Sequence, residues 1–225
     1  MIELIMIRHG ETDWNLEHRF QGHIDVPLNR RGLAQAGRLA ARLRDEAVDA
    51  LVSSDLRRAR QTASPAAKAL GIEAEPLAAL REQGFGVLEG LALPEILTRY
   101  PNEWAGWKRH DPDYALPGGE SVRSFHTRVL GAVLELARRF EGGRIAVVTH
   151  GGALDMVYRT ALQLPLAGPR NCIIPNAALN RLRIEGDRIE IVQWADDAHV
   201  ADLGAVAPVD LTKLAEDDLP AEGLT

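Results

Sequence analysis

The apolar run Ile2-Glu3-Leu4-Ile5-Met6-Ile7 leads straight into Arg8-His9-Gly10-Glu11-Thr12, and no other stretch limits the fold so tightly. A short apolar run without polar alternation reads as a strand covered on both faces, as in parallel sheets. The glycine that follows lets the backbone turn sharply out of it. In open α/β sheets, ligands are met in the crevice beyond the carboxyl ends of the strands. Arg8 and His9 are therefore expected there, a cation and an imidazole above the sheet. A lone Arg-His pair would more simply end a strand, so the weight of this reading rests on the remainder of the chain.

Further strands are predicted over 50–53, 144–149, 179–184 and 188–192. Apolar residues at helical spacing cover 31–45 (Leu33, Ala36, Leu39, Ala40, Leu43), 55–70, 120–140 and 152–163. Strands alternating with helices predict a three-layer α/β fold with a mostly parallel sheet and helices on both faces. Glu185-Gly186-Asp187 joins the last two strands as a hairpin and so predicts an antiparallel edge. Between about 83 and 118 the pattern is irregular and holds Tyr100, Trp104, Trp107 and Tyr114, which reads as a small inserted cap. The expected organisation is one domain over 1–195, cap included, followed by an acidic tail over 196–225.

The chain has 225 residues, 46% of them hydrophobic, enough for one sizeable core. Cys172 is the single cysteine, which rules out an intramolecular disulfide and points to a reducing compartment. The N-terminal apolar run is too short for a signal segment and contains Glu3, and no apolar stretch approaches membrane-spanning length. A cytoplasmic protein without a membrane partner is expected. From Asp196 onward eight acids stand against Lys213, a net of −7, so of the formal −6 the body over 1–195 carries about +1. An anionic small substrate suits that body, whereas the lack of a Lys/Arg block argues against nucleic acid. The tail reads as solvated or loosely docked; a lid and the arm of a homodimer are the two roles it leaves open.

Ser53-Ser54-Asp55 closes the second predicted strand and opens a helix, with Ser54 or Asp55 as its N-cap. The first turn of that helix carries Arg57, Arg58 and Arg60, where the helix dipole already disfavours cations. Such a local conflict marks a functional position, and at least one of these arginines is expected to face an anion. Thr149-His150-Gly151-Gly152 repeats the logic of the first strand: strand, imidazole, glycine turn, helix. Arg8, His9, a helix arginine and His150 can then converge on one crevice suited to a tetrahedral dianion.

Taken together, Arg8-His9-Gly10-Glu11-Thr12 with Trp14-Asn15, Ser53-Ser54-Asp55-Leu56 with Arg58-Ala59 and Gln61-Thr62, Arg81-Glu82, and Thr149-His150-Gly151-Gly152 resemble the histidine phosphatase superfamily, which includes cofactor-dependent phosphoglycerate mutases and many small phosphatases. The resemblance spans roughly residues 3–180, in the family's order. It implies the phosphoglycerate mutase-like fold, a phosphohistidine intermediate, no metal ion and no cofactor. It selects Arg58 among the helix arginines, leaving Arg57 and Arg60 at the surface and Gln61 and Thr62 packed around the site. His9 becomes the nucleophile, kept unprotonated by neighbouring guanidinium charge. Arg8, Arg58, His150 and Gly151 form the phosphate-binding set, with Asn15 either a further donor or a loop cap.

An alcohol leaving group needs a proton donor, and Glu82 fits the family's position; Glu89 and Glu11 are its rivals. A carboxyl beside a bound dianion can hold a proton near neutrality and later activate water. The mutase branch of that family has a longer basic insertion and a tyrosine shortly after the acid, whereas here the acid is followed by Gln83-Gly84-Phe85-Gly86 and the insertion up to Pro117-Gly118-Gly119-Glu120-Ser121 is compact; the resemblance therefore favours a phosphatase acting on small phosphoesters over a phosphoglycerate mutase. A catalytically silent binding module would be expected to have lost a core residue, and none is lost. A zinc site built from His9, His150 and Asp55 lacks ligand spacing and would face repelling arginines. In the cap, Lys108, Arg109 and His110 offer charge for a second anionic group, while Trp104 and Trp107 are expected in a satellite core. Phosphoglycerates, sugar phosphates and α-ribazole phosphate all remain open as substrates.

Overall fold

Every apolar side chain of strand β1 (Ile2–Arg8) has a layer to enter. In the computed structural model, which describes residues 1–204, Ile2, Leu4 and Met6 join one core and Ile5 and Ile7 the other. Burial on both faces is why the run shows no alternation. After β1 the chain makes one capped turn, α1 (Asp13–Leu16), in which Thr12 and Asn15 form a reciprocal capping box. Helix α2 (Arg30–Leu43) follows, capped by Asn29 Oδ1 accepting from the Gly32 N–H at 2.8 Å. Then come β2 (Ala50–Ser53), α3 (Arg57–Leu70) and β3 (Ala74–Pro76). Two short helices, α4 (Leu93–Arg99) and α5 (Pro101–Trp107), precede α6 (Val122–Arg139), β4 (Arg144–Thr149), α7 (Gly151–Ala161), β5 (Leu179–Glu185) and β6 (Arg188–Asp196).

The six strands lie in the order β3-β2-β4-β1-β5-β6. The first four run parallel; β5 is antiparallel to β1 and β6 to β5. Helices α2 and α3 cover one face through Leu39, Leu43, Ala59 and Ala63, and α6 and α7 the other through Phe125, Val129, Leu154 and Val157. This is the expected three-layer α/β architecture with a mostly parallel sheet. Among the described residues no helix is long and apolar enough to cross a membrane.

Three local features differ from the sequence reading. Strand β3 is three residues ending in Pro76, which has no N–H to donate, too little for periodicity to register. Inside the region read as irregular, α4 and α5 are regular helices of seven residues each, hidden by their brevity. Helix α3 starts after Leu56, without a side-chain cap from either Ser54 or Asp55. Asp55 instead takes the Arg81 fork at 2.7 and 2.6 Å, and Ser54 Oγ meets His150. Asp25, from a distant loop, accepts the Arg57 N–H in their place.

Between Phe85 and Leu116 the chain builds a third apolar cluster, separate from the two sheet cores, around Phe20, Leu88, Ile96 and Trp104. Beyond β6, a 3-10 turn over Ala198–Leu203 lies against α2, with Val200 buried and Arg38 paired to Asp202 at 2.5 Å. The rest of the acidic tail falls outside the described residues.

Candidate active site

The parallel register levels three strand ends. Arg8 pairs with Thr149 and Ser53 with Val148. One step on, the His9 N–H donates to Thr149 O at 2.9 Å and the Ser54 N–H to Val148 O at 2.8 Å. His9, His150 and Ser54 are thus delivered side by side by the pairing of β1, β4 and β2. The two imidazoles stand 5.2 Å apart between ring centroids.

His9 is buried, and its Nδ1 lies 2.7 Å from Gly10 O. A carbonyl only accepts, so Nδ1 carries the proton and Nε2 presents its lone pair. Burial first, then the charges of Arg58 and Arg8, hold His9 well below the usual imidazole pKa. The loop that carries it is pinned: Asn176 Nδ2 donates to His9 O at 2.9 Å, and the Gly10 N–H donates to Thr62 Oγ1 at 2.9 Å. Gly10 must be bare because the start of α2 crosses it; a Cβ there would stand 2.7 Å from Gly32 O.

His150 is fully buried, with Nε2 2.8 Å from Ser54 Oγ. Burial, Arg58, His9 and Arg8 hold it, too, in the neutral form. Its Nδ1 has no hydrogen-bond partner among the described residues, the mark of a buried polar atom kept for a ligand. Arg58 is fully buried as well, donating from Nη1 to Ile24 O at 2.9 Å and from Nη2 to Gly22 O at 2.8 Å. Burial pushes its pKa down to about 10, with Glu82, Asp25 and Glu89 opposing the shift, so it is charged at neutral pH. Arg57 and Arg60 are exposed. Arg8 donates to Ile174 O at 2.6 Å and, with His9, Asn15 and Gly151, lines a cavity above the strand ends. Asn15 serves chiefly as a cap: its Oδ1 accepts the Thr12 N–H at 3.0 Å.

Glu82 stands where this cavity meets a second one, lined by Tyr114, Phe125 and Asp155, and belongs to the walls of both. Its Oε2 accepts the Gly152 N–H at 3.0 Å, in the first turn of α7, and its Oε1 the Gln83 N–H at 2.9 Å. The rival acids are occupied elsewhere. Glu11 accepts from Asn29 and Arg31, each at 3.0 Å, and Glu89 Oε1 accepts the N–H groups of His23 and Phe85. The tryptophans divide: Trp104 is buried in the third cluster, whereas Trp107 faces both cavities and stacks on Trp104 at 5.2 Å. Lys108 and Arg109 are exposed, and His110 lines the second cavity.

Several residues of the site escape sequence reasoning. Ser54 shows there only as a helix cap, Asn176 lies in a loop without pattern, and Arg170, which lines both cavities, has no motif around it. The doubling of Gly151-Gly152 is a visible signal, but its cause, the seating of Glu82 against the helix start, needs the fold. Among the described residues no group of three or more His, Cys, Asp or Glu is placed to hold a metal ion. Two neutral imidazoles thus stand with the buried guanidinium of Arg58 beside a cavity walled by Arg8 and Arg170, chemistry suited to a phosphate dianion and to attack by a neutral Nε2.

Known proteins match this chain over most of its length. The family model of the histidine phosphatase superfamily, branch 1, covers residues 4–197. The chain is 36% identical over 206 residues to phosphoglycerate mutase-like protein 4 of Arabidopsis thaliana, spanning 90% of this chain and 88% of that protein. It is 35% identical over 205 residues to a metal-independent phosphoserine phosphatase of the same plant, spanning 90% and 84%. Among solved structures, a mycobacterial glucosyl-3-phosphoglycerate phosphatase complexed with VO3 superposes with a TM-score of 0.78 at 30% identity, over 87% of this chain and 99% of that one.

Proposed function

This chain belongs to the histidine phosphatase superfamily, and from that premise we propose that it hydrolyses small phosphomonoesters through a phosphohistidine at His9, without a metal ion or cofactor. The observation that carries the reading is the tautomer of His9: Nδ1–H tied to Gly10 O, with the ring held neutral by burial and by the charges of Arg58 and Arg8. Attack of Nε2 in line on phosphorus forms the N–P bond as the ester P–O bond breaks. Arg8, Arg58, His150 and the Gly151 N–H take up the charge on the non-bridging oxygens. Glu82, on the wall shared by the two cavities, gives its proton to the departing alcohol and then draws one from the water that cleaves the phosphohistidine. The second cavity receives the alcohol.

Two relatives named as phosphatases, one of them metal-independent, support hydrolysis. The compact segment after Glu82 favours water as acceptor over a second hydroxyl. With Cys172 as its single cysteine, the protein suits a reducing compartment, and we assign it to the cytoplasm. The test is phosphate release from a panel of phosphomonoesters in the presence of a chelator, with His9→Ala as control. Release that survives chelation and vanishes in the variant supports the reading. Release lost on chelation, or a variant keeping a tenth of the activity, overturns it. Isomerisation of phosphoglycerate without net release would point to the mutase instead.

A further inference from the structure

We propose that Arg128, on α6 and lining neither cavity, is the positioning residue of the proton donor; the proposal rests on Glu82 being that donor. Glu82 sits on backbone with little regular support. A 3-10 turn over Ala78–Leu80 precedes it, and from Arg81 to Phe85 the chain is neither helix nor strand. Such backbone needs partners for its polar groups from elsewhere, and without them it moves. Here three of the segment's carbonyls, those of Ala79, Arg81 and Glu82, find a donor in one side chain.

Arg128 uses its whole fork. Nη1 donates to Ala79 O at 3.0 Å and Arg81 O at 3.1 Å, and Nη2 to Glu82 O at 3.1 Å. Nε and Nη2 grip Glu120 in a two-point pair at 2.9 and 2.6 Å. Glu120 in turn holds the other end of the segment: its Oε2 accepts the Gly84 N–H at 3.0 Å, its N–H donates to Gly84 O at 2.8 Å, and its carbonyl accepts from Gln83 Nε2 at 2.9 Å. His23 Nε2 adds a bond to Glu82 O at 2.8 Å, and Thr149 Oγ1, one residue before His150, adds one to Leu80 O at 2.8 Å. From Ala79 to Gly84 the acid's segment is thus fastened to α6 at one side and to the end of β4 at the other.

Only a guanidinium fits this position. Five N–H groups in a fixed plane reach three carbonyls and a carboxylate at once; an ammonium has three donors on one nitrogen and cannot span them. The purpose of such rigidity is aim. Glu82 must meet both the Gly152 N–H and the leaving oxygen, and a misplacement of about 1 Å costs on the order of a hundredfold in rate.

The experiment compares kcat/KM for an alkyl phosphate, which needs a proton on its leaving group, with that for p-nitrophenyl phosphate, which needs little. Wild type, Glu82→Gln, Arg128→Lys and Arg128→Gln are measured, with near-UV circular dichroism and thermal midpoint as checks on folding. The alkyl-to-aryl ratio is expected to fall at least tenfold in both Arg128 variants, in the direction of Glu82→Gln. Arg128→Lys is the decisive variant, because it keeps the charge opposite Glu120 and loses only the span. An unchanged ratio, or equal losses on both esters, would make Arg128 a structural residue and overturn the proposal. If Glu82→Gln itself leaves the ratio unchanged, the donor is another group, and the assignment of Glu82 fails together with the proposal.

Discussion

Replacing Gly152 by alanine should separate stability from catalysis. A Cβ at this position would run into Glu82 Oε1 and stand 3.1 Å from both Glu82 Cδ and Phe125 Cε1. The nearest obstacle is the tip of a flexible side chain, so the carboxyl group swings away and the backbone keeps its course. On the stability side, glycine inside a helix costs about 0.5–1 kcal/mol relative to alanine, which the substitution recovers. Against this stands the charge-assisted bond from the Gly152 N–H to Oε2, now 3.0 Å, whose loss costs about 1.5–3 kcal/mol if water does not replace it. The cavity wall is open to water, so the net effect should stay within about 1.5 kcal/mol, a shift in Tm of roughly 3–6 °C for a chain of this size. On the catalytic side, a displaced general acid forfeits a factor of about 10²–10⁴ on esters with poor leaving groups. The assay is calorimetry paired with kcat/KM on an alkyl and an aryl phosphate. Undiminished alkyl phosphatase activity, or a fall in Tm beyond about 10 °C, would refute the placement of Glu82 at the start of α7 as the working geometry.

Arg58→Lys should reduce kcat/KM by roughly ten- to a hundredfold on every ester, the equivalent of one charge-assisted contact of about 1.5–3 kcal/mol, because a lysine cannot bond Gly22 O and Ile24 O and still reach the phosphate; a loss confined to poor leaving groups would contradict a phosphate-gripping role. Acid should destabilise the fold well before its carboxylates protonate. Burial holds His9, His126, His150 and His199 below their ordinary pKa, so below about pH 6.5 the unfolded chain takes up protons that the folded chain refuses. Their contribution is fully present above that pH and drains away beneath it. Glu46 and Asp55, held low by Arg181 and Arg81, act only further down, below about pH 4.5. Urea midpoints at pH 7.5, 6.5 and 5.5 should therefore decline in that order, and a rise on acidification would count against buried neutral imidazoles.

What the sequence discloses here is governed by the range of the forces involved. The five longer strands and the four long helices announce themselves, because burial imposes a pattern over many residues, nearly unbroken in β1 and β4 and on one stripe in the helices. The meeting of Arg8, His9 and His150 follows from strand ends and needs no side-chain detail, whereas the choice of Arg58 in the first turn of α3 comes from the family resemblance. Assignments decided by one contact stay hidden. Asp55 and Ser54 have the chemistry of helix caps, and nothing local reveals that Arg81 and His150 compete for them and prevail. Arg128 is an unremarkable arginine on an amphipathic helix until the fold lays three carbonyls across its fork. The short helices α4 and α5 are held by Phe20, Leu88 and Trp104, so their stability resides in tertiary packing that periodicity does not register.

That third cluster has a consequence for how the protein could change. Its apolar residues stand apart from both sheet cores, so substitutions within it should add to, and seldom couple with, substitutions beneath the sheet. The spacing of the reactive groups, by contrast, is gauged by the separation of neighbouring strands, about 4.8 Å, a dimension that no loop can alter. The molecule thus keeps its measure and the contour of its cavities in different materials: Phe85, Trp107 and Tyr114, which line the cavities, can be exchanged while the distance from His9 to His150 is preserved by the sheet.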